Sequence, residues 1–189
     1  MKIRIRATLF LIFCLLFIVI SPASAAENKV NSKTPMSEAR IDYQFPWPGI
    51  LPDHPLYKLK VARNKLIYKI IYNPMKRVEF DLLMADKTLY ASKLLLEKGQ
   101  GELAKETALK GENYFSVLVS DYGTVLAKKQ KLPFNLYQKI DKAYQAHQQL
   151  IKYLRENATE EDKATYDQVD YFSKSNYQSF LELQKQKKE

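Results

Sequence analysis

Few side chains in this sequence could do chemistry. Only two histidines, His54 and His147, could serve as a general base or a metal ligand, and they fall in different predicted elements. Neither has a cysteine or a second histidine near it in the chain, and the only cysteine, Cys14, lies in an apolar N-terminal stretch. We therefore predict no metal site, no cofactor, no catalytic residue and no enzymatic activity.

Both histidines fit structural roles. His54 lies at the predicted start of a helix, where capping or packing explains it. His147 lies on an apolar helix stripe, which predicts a partly buried, neutral imidazole that a polar group such as Asn176 satisfies. The consecutive acids 160–162 lack the alternating ligands and the glycine of a calcium loop, and a helix N-terminus explains them better.

Positive charge is the strongest remaining signal. The chain has 30 Lys and Arg against 21 Asp and Glu, a net charge of +9, and no acid occurs from residue 54 to residue 78. This stretch contains the candidate contacts with an anionic membrane or wall polymer, which are Lys58, Lys65, Lys69, Lys76 and Arg77. The alternative is the solvated face of a helix that docks on the domain.

The first predicted helix is amphipathic. At about 100° per residue, Lys58, Lys65 and Lys69 fall within roughly 40° of one another. Opposite them lies an apolar face that we predict packs inward, formed by Leu56, Leu59, Leu66, Ile67 and Ile70. Asp53 stands where the N-cap of this helix is expected.

The N-terminus has the features of a signal peptide. Lys2, Arg4 and Arg6 precede the uninterrupted apolar run 7–20, and Ala23-Ser24-Ala25 offers small residues for a peptidase. We predict a signal peptide over residues 1–25 and an extracytoplasmic protein, secreted or associated with the cell envelope; an uncleaved anchor is the alternative. Export also argues against a nucleic-acid partner.

A spacer and an extended arm precede the helices. Residues 26–42 are polar and are predicted to be a flexible spacer. In residues 43–55, large apolar side chains alternate with prolines, which predicts a stiff extended arm. We expect Phe45, Trp47 and Leu51 to dock on the helices, with Trp47 buried; contact with an envelope partner is the alternative.

The rest of the chain repeats apolar residues at helical spacing. This pattern predicts helices at about 55–72, 74–98, 102–128, 133–156 and 160–185. Short links force neighbouring helices to run antiparallel. We predict a single all-α domain over residues 43–186, an up-down bundle of helices two to five with helix one and the arm packed outside. Ala85 should lie in a closely packed contact between two helices, where there is no room for a larger side chain.

Part of the chain resembles a known family. Residues 51–60 read Leu-Pro-Asp-His-Pro-Leu-Tyr-Lys-Leu-Lys, and Asn73-Pro74 and Leu96-Glu97-Lys98-Gly99 continue the pattern. This resembles a family of exported bacterial helical domains classed as a domain of unknown function, whose members share Leu-Pro, a polar pair and Pro-Leu-Tyr-x-Leu-Lys. The resemblance covers about residues 43–120. It implies an exported helical domain with no assigned activity.

These observations predict a non-enzymatic helical interaction or structural module of the bacterial cell envelope. The first alternative is a peripheral binder of an anionic membrane or wall polymer, held by the basic amphipathic helix. The second is an uncharacterised enzyme. The expected partner is an unknown envelope protein or an anionic polymer, with peripheral membrane contact, and no nucleic acid.

Overall fold

The computed structural model describes residues 42–186, and within this range it is helical without strands. The predicted signal peptide and all of the predicted spacer except its last residue lie outside the described residues. The five helices are α1 (Tyr57–Ile70), α2 (Pro74–Glu97), α3 (Gly101–Ala127), α4 (Phe134–Glu156) and α5 (Glu160–Gln186). The prediction of an all-α bundle is confirmed.

Local chemistry sets the helix ends. The Asn73 side chain accepts a hydrogen bond of 2.9 Å from the Met75 amide, and Pro74 occupies the first position of α2. Gly99 adopts φ +75°, where glycine is unstrained, and the Gln100 amide closes α2 by donating to the Leu95 carbonyl at 2.9 Å. These short links turn consecutive helices back along one another.

The core lies between α2, α3, α4 and α5. The apolar stripes predicted on α3 and α4 are buried along their whole length, and Ala85 on α2 is fully buried, as the prediction of a closely packed contact required. α2 and α3 lie close together at Gly111, where an added Cβ would lie 2.9 Å from the Leu89 backbone nitrogen. Any larger residue at Gly111 would push these helices apart.

The arm docks on the bundle through some of its predicted contacts. Leu51 is buried, and Phe45 stacks on Tyr90 with ring centroids 5.7 Å apart. Trp47 is 67% exposed and packs edge-to-face with Tyr90, with ring centroids 6.3 Å apart, so the prediction that Trp47 is buried was wrong. Phe45 and Leu51 contact the hydrophobic clusters of the bundle, whereas the indole lines two concavities on the surface.

The docking of α1 differs from its prediction. The apolar residues expected to face inward, except Ile67, are exposed, and α1 has no fully buried residue. The helix instead turns Tyr57, Asn64 and Tyr68 towards the bundle. The predicted N-cap was also wrong, because Leu56 occupies that position and Asp53 accepts a 2.9 Å hydrogen bond from Lys98 Nζ.

Candidate functional site

The outward side of α1 is apolar. We call Leu56, Leu59, Leu66 and Ile70 the α1 outer face; they are 52%, 69%, 62% and 60% exposed. At 1.5 Å per residue this stripe is about 21 Å long. The exposed Arg63 interrupts this stripe between Leu59 and Leu66. Single exposed leucines are ordinary on proteins, but four large apolar residues exposed on one side of a helix favour an interaction surface.

Lysines run beside the α1 outer face. Lys58, Lys65 and Lys69 are exposed and make no ion pair among the described residues. At about 100° per residue they lie on the flank of the stripe, so the prediction that they lie opposite the apolar residues was wrong. α1 contains no acid. Lys60 is different, because its Nζ donates to the Pro48 and Ile50 carbonyls at 2.8 Å each and holds the arm. Burial and neighbouring cations lower the pKa of Lys60 to about 8.

The other two predicted contacts do not join this flank. Lys76 Nζ forms an exposed ion pair of 2.7 Å with Glu79. Arg77 Nε donates to the Ile71 carbonyl at 2.8 Å, and its guanidinium lies 5.1 Å from the centre of the Tyr68 ring. Arg77 therefore ties the end of α1 to α2, and three of the five predicted lysine and arginine contacts share one surface.

Aromatic residues extend the α1 outer face at both ends. Trp47 and Ile50 from the arm line a cavity of about 430 Å³ together with Leu56 and Leu59. Beyond the other end of α1, Tyr72 is 85% exposed. Trp47 thus lies beside one end of the α1 outer face, and Tyr72 follows its other end in the chain and lines a groove with Phe80 and Leu83 of α2.

A buried pair of carboxyl groups explains why α1 docks by its polar side. Asp81 on α2 hydrogen-bonds Asp121 on α3, and we call these two residues the acid pair. Tyr68 of α1 donates a 2.8 Å hydrogen bond to Asp121 Oδ2. Burial, the hydrogen bond and the charge of Asp121 raise the pKa of Asp81 to about 8, against the opposing effect of Arg77. Asp81 is therefore protonated at neutral pH and shares its proton with Asp121.

A second buried network surrounds His147. Its Nδ1 donates to Glu112 Oε1 at 2.8 Å and its Nε2 donates to Asp86 Oδ1 at 3.0 Å, while Tyr43 of the arm donates to Asp86 Oδ2. We call these four residues the His147 cluster. Burial alone would lower the pKa of His147, but the charge of Glu112 and the bonds to both carboxylates raise it to about 9.

The prediction for His147 was therefore wrong in its partner and its charge. Asn176 donates instead to the backbone carbonyl of Glu112 at 3.0 Å, and His147 is a cation at neutral pH. The ring is fully buried between Phe45, stacked at 5.8 Å, and the edge of Phe115. Because both ring nitrogens are occupied and enclosed, this histidine has no atom left for a substrate.

The remaining candidate residues have structural roles. His54 Nδ1 accepts a 3.1 Å hydrogen bond from the Leu56 amide in the turn before α1, although α1 has no side-chain cap hydrogen bond. Asp162, at the start of α5, pairs with Lys105 of α3, and this hydrogen bond lowers its pKa. Among residues 42–186, no group of three or more His, Cys, Asp and Glu is placed to hold a metal ion.

Sequence reasoning missed the outward orientation of α1. A usable signal was present, because Tyr57, Asn64 and Tyr68 also recur at helical spacing and form a second possible docking side. It also missed the exposed aromatic ends, Trp47 and Tyr72. The exposure of these two side chains depends on how the segments before and after α1 pack on the bundle, and residue type alone does not determine that packing.

Comparisons with known proteins give no relative from which a function could be transferred. No family model, no curated protein and no solved structure matches this chain. In the described part of the chain, no helix has both the length and the apolar character needed to cross a membrane. The resemblance of residues 43–120 to exported helical domains stays a prediction.

Proposed function

We propose that this protein is a non-enzymatic interaction module that binds anionic membrane surfaces through the α1 outer face. One observation carries the proposal: a surface helix exposes Leu56, Leu59, Leu66 and Ile70 to solvent, with cations beside and between them, while its hydrogen bonds to the bundle come from Tyr57, Asn64 and Tyr68 on the other side. An interfacial helix binds by burying such a stripe at the head-group boundary while its cations attract anionic lipids.

The energetics favour such a surface. Each lysine near an anionic membrane contributes about 1 kcal/mol, so Lys58, Lys65 and Lys69 together contribute about 3 kcal/mol. Trp47 and Tyr72 are the residue types that settle at membrane interfaces, where the ring is apolar and its edge is hydrated. Their positions at the two ends of the stripe suit a helix that lies in the interface.

A lipid surface fits this stripe better than a protein partner does. A protein would need its own apolar ridge and acids in register with the lysines, whereas a bilayer adapts to any cation spacing. An acidic protein partner is the competing possibility and is an outcome of the test. The proposal includes an extracytoplasmic location in the cell envelope, which is supported by the signal-peptide features of residues 1–25.

The test uses the chain from residue 26 onward, since the apolar run 7–20 would itself enter membranes and the cores described above lie within residues 42–186. Trp47 is the only tryptophan, so its emission reports on this surface. We expect a blue shift with phosphatidylglycerol vesicles at about 0.1 M salt and its loss at about 1 M, where the Debye length falls to about 3 Å. Phosphatidylcholine vesicles should have little effect.

Matched variants distinguish vesicle binding through the α1 outer face from nonspecific adsorption of the protein. The double variant Leu59→Asn and Leu66→Asn should lose most vesicle binding, whereas Leu109→Asn and Val117→Asn on α3, which are also exposed, should not. The triple change of Lys58, Lys65 and Lys69 to Gln should weaken binding at least about 10-fold. The same change at Lys152, Lys163 and Lys174 on α4 and α5 should have a smaller effect. Equal binding to neutral vesicles, or wild-type binding by the Leu59/Leu66 variant, would refute the proposal. A lack of binding to any vesicle would refute it in favour of an acidic protein partner.

A further inference from the structure

Four cations from three helices come together beside the arm without an acid among them. Lys60 and Arg63 belong to α1, Lys87 to α2 and Lys110 to α3. Burial lowers the pKa of Lys60, the positive charges of the other three lower it further, and no carboxylate opposes them. None of the four makes an ion pair with a residue in the described range 42–186. We call these four residues the cation cluster.

Helix dipoles do not explain the cation cluster. The last turn of a helix stabilises a cation, whereas the first turn disfavours one. Lys60 lies in the first turn of α1, and the other three cations lie in the interiors of α1, α2 and α3. Elsewhere on the bundle, lysines are offset by acids from distant parts of the chain, as in the pairs Lys98–Asp53 and Lys105–Asp162. The cation cluster lacks such a counter-charge within the described part of the chain.

Neutral groups hold two of these cations in place. Lys60 Nζ donates to the Pro48 and Ile50 carbonyls at 2.8 Å each, which uses two of its three donors. The ammonium groups of Lys60 and Lys110 lie 5.4 Å and 5.2 Å from the centre of the Tyr57 ring. Carbonyl dipoles and an aromatic ring stabilise a cation but carry no net charge. The positive field around Lys60 is therefore held in position and remains available to an anion.

Three members of the cation cluster line one pocket beside the α1 outer face. This pocket is the cavity of about 430 Å³ described above, and Lys60, Arg63 and Lys87 lie in its wall. Within the described part of the chain, no Asp or Glu lines it. The rest of the wall is largely apolar and includes Leu56 and Leu59 of the α1 outer face. The pocket is large enough for a small polar group and continues into the proposed membrane-binding surface.

The chemistry of this wall suits a phosphate that carries two negative charges. A guanidinium binds phosphate oxygens bidentately, and an ammonium group binds them as a point charge. A phosphomonoester carries about −1.5 to −2 charges at pH 7 and presents three terminal oxygens. A phosphodiester carries a single charge and presents fewer terminal oxygens. Three cations in one wall are therefore matched better by a phosphomonoester.

We propose that this pocket binds the phosphomonoester head group of an anionic membrane lipid, with the phosphate held by Arg63, Lys87 and the third donor of Lys60. The inference rests on the proposed function, because a helix lying in the interface holds the pocket at the depth of the lipid phosphates. Since the pocket wall continues into the α1 outer face, the head group comes from the same membrane. The pocket adds selectivity among anionic lipids to the general attraction of the lysines on the flank of α1.

The test compares two kinds of vesicle that have equal surface charge. Phosphatidylcholine vesicles contain either phosphatidic acid, a phosphomonoester, or phosphatidylglycerol, a phosphodiester, in amounts adjusted until the zeta potentials are equal. The chain from residue 26 onward is titrated with each at pH 7, and Trp47, which lines the pocket, reports binding by its emission. We expect binding to phosphatidic acid vesicles to be at least about 5-fold tighter, because the phosphomonoester makes more charge-assisted hydrogen bonds.

Two matched double variants identify the residues behind this preference. Arg63→Gln with Lys87→Gln removes two charges from the pocket wall, and the preference for phosphatidic acid should fall below about 2-fold. Lys58→Gln with Lys65→Gln removes two charges from the flank of α1, outside the pocket. This control should weaken binding to both kinds of vesicle and keep the preference, because these lysines attract any anionic lipid. None of the four side chains is fully buried, so both variants should fold.

The outcomes distinguish the pocket from the proposed function. Equal binding to the two anionic vesicles, or an unchanged preference in the Arg63/Lys87 variant, would overturn the pocket and leave the α1 outer face as a membrane-binding surface. Binding to neither vesicle would overturn the proposed function and the lipid head group with it. Glycerol 3-phosphate, the free head group, identifies the remaining source. If it shifts Trp47 emission in the wild type but not in the Arg63/Lys87 variant while no vesicle binds, the pocket takes a free phosphomonoester instead of a lipid.

Discussion

The His147 cluster and the acid pair both hold an N-terminal segment on the bundle, but they balance their charges differently. In the His147 cluster an imidazolium lies between two carboxylates, and Tyr43 of the arm binds one of them. In the acid pair no cation lies between the two carboxyl groups, and a shared proton takes that place under Tyr68 of α1. The arm therefore binds a carboxylate that is paired with the imidazolium, whereas α1 binds Asp121, whose other hydrogen-bond partner is the protonated Asp81.

This difference gives the two clusters different sensitivities to pH. Folding raises the pKa of Asp81 from 3.8 to about 8, so its stabilising contribution is full below the lower value and is lost as pH rises through the higher one. Folding raises the pKa of His147 from 6.5 to about 9, so its contribution is full below 6.5 and is lost as pH rises through 9. As pH rises, the stabilising contribution of the acid pair should therefore be lost before that of the His147 cluster.

The largest expected effect comes from removing the cation of the His147 cluster. His147→Ala leaves the buried carboxylates of Asp86 and Glu112 facing each other without a counter-charge. Removing one partner of a buried ion pair typically lowers the free energy of unfolding by about 3 to 5 kcal/mol. Urea unfolding at pH 7, followed by circular dichroism, measures this loss.

The other histidine provides the control. His54 is exposed, and His54→Ala should change the free energy of unfolding by less than about 1 kcal/mol. His147→Gln keeps one hydrogen-bond donor for a carboxylate, so its loss in free energy of unfolding should lie between those of His147→Ala and His54→Ala. This variant provides a measurement even if His147→Ala does not fold. Similar values for His147→Ala and His54→Ala would show that no buried charge depends on the imidazolium.

The long helices could be predicted from the sequence because apolar residues repeat at helical spacing in each of them. In α4, residues such as Ile140, Ala143 and Leu154 repeat at helical spacing without a rival stripe, and all are buried. The breaks at Asn73-Pro74 and Gly99 are equally local signals. Prediction succeeded for features that are determined by residues close together in the sequence.

Prediction failed where partners come from distant parts of the chain. α1 carries two possible docking sides, and the choice between them depends on Asp121, which lies 53 residues beyond Tyr68. The charge of His147 depends on Glu112, a residue that sequence reasoning did not single out. In retrospect, one pattern in the sequence points to these acids. Asp86 and Glu112 directly follow the small buried residues Ala85 and Gly111, so both lie beside close contacts between helices.

The acid pair gives the next largest expected effect, and it should appear as a change in pH dependence. Asp81→Asn replaces a protonated acid with an amide of similar shape that can still donate to Asp121 but cannot ionise. The wild-type urea midpoint should fall as pH rises from 6 to 8.5, and in Asp81→Asn about half of this fall should disappear. The other half should remain, because His147 loses its contribution over the overlapping range from 6.5 to 9.

Asp141 offers a matched control for the acid pair. It also accepts a hydrogen bond from a tyrosine, Tyr177, but no second carboxyl group faces it in the contacts described. Asp141→Asn should therefore keep the wild-type fall in midpoint between pH 6 and 8.5. A fall of equal size in Asp81→Asn would mean that Asp81 is not the group that titrates there.

The smallest expected effect is also the most local, and it tests whether Tyr68 keeps the α1 outer face turned to solvent. Tyr68→Phe removes one hydrogen bond to a buried carboxyl group, which should lower stability by about 1 to 2 kcal/mol. Because α1 has no fully buried residue, the loss should appear as local opening, with amide hydrogen exchange in residues 57–70 accelerated about 10-fold.

Tyr43→Phe should leave exchange in α1 unchanged, since its bond holds the arm to Asp86. Tyr72→Phe, an exposed neighbour, should do the same. If Tyr43→Phe accelerated exchange in α1 as much as Tyr68→Phe does, the arm and α1 would open as one unit, and the two clusters would not act separately.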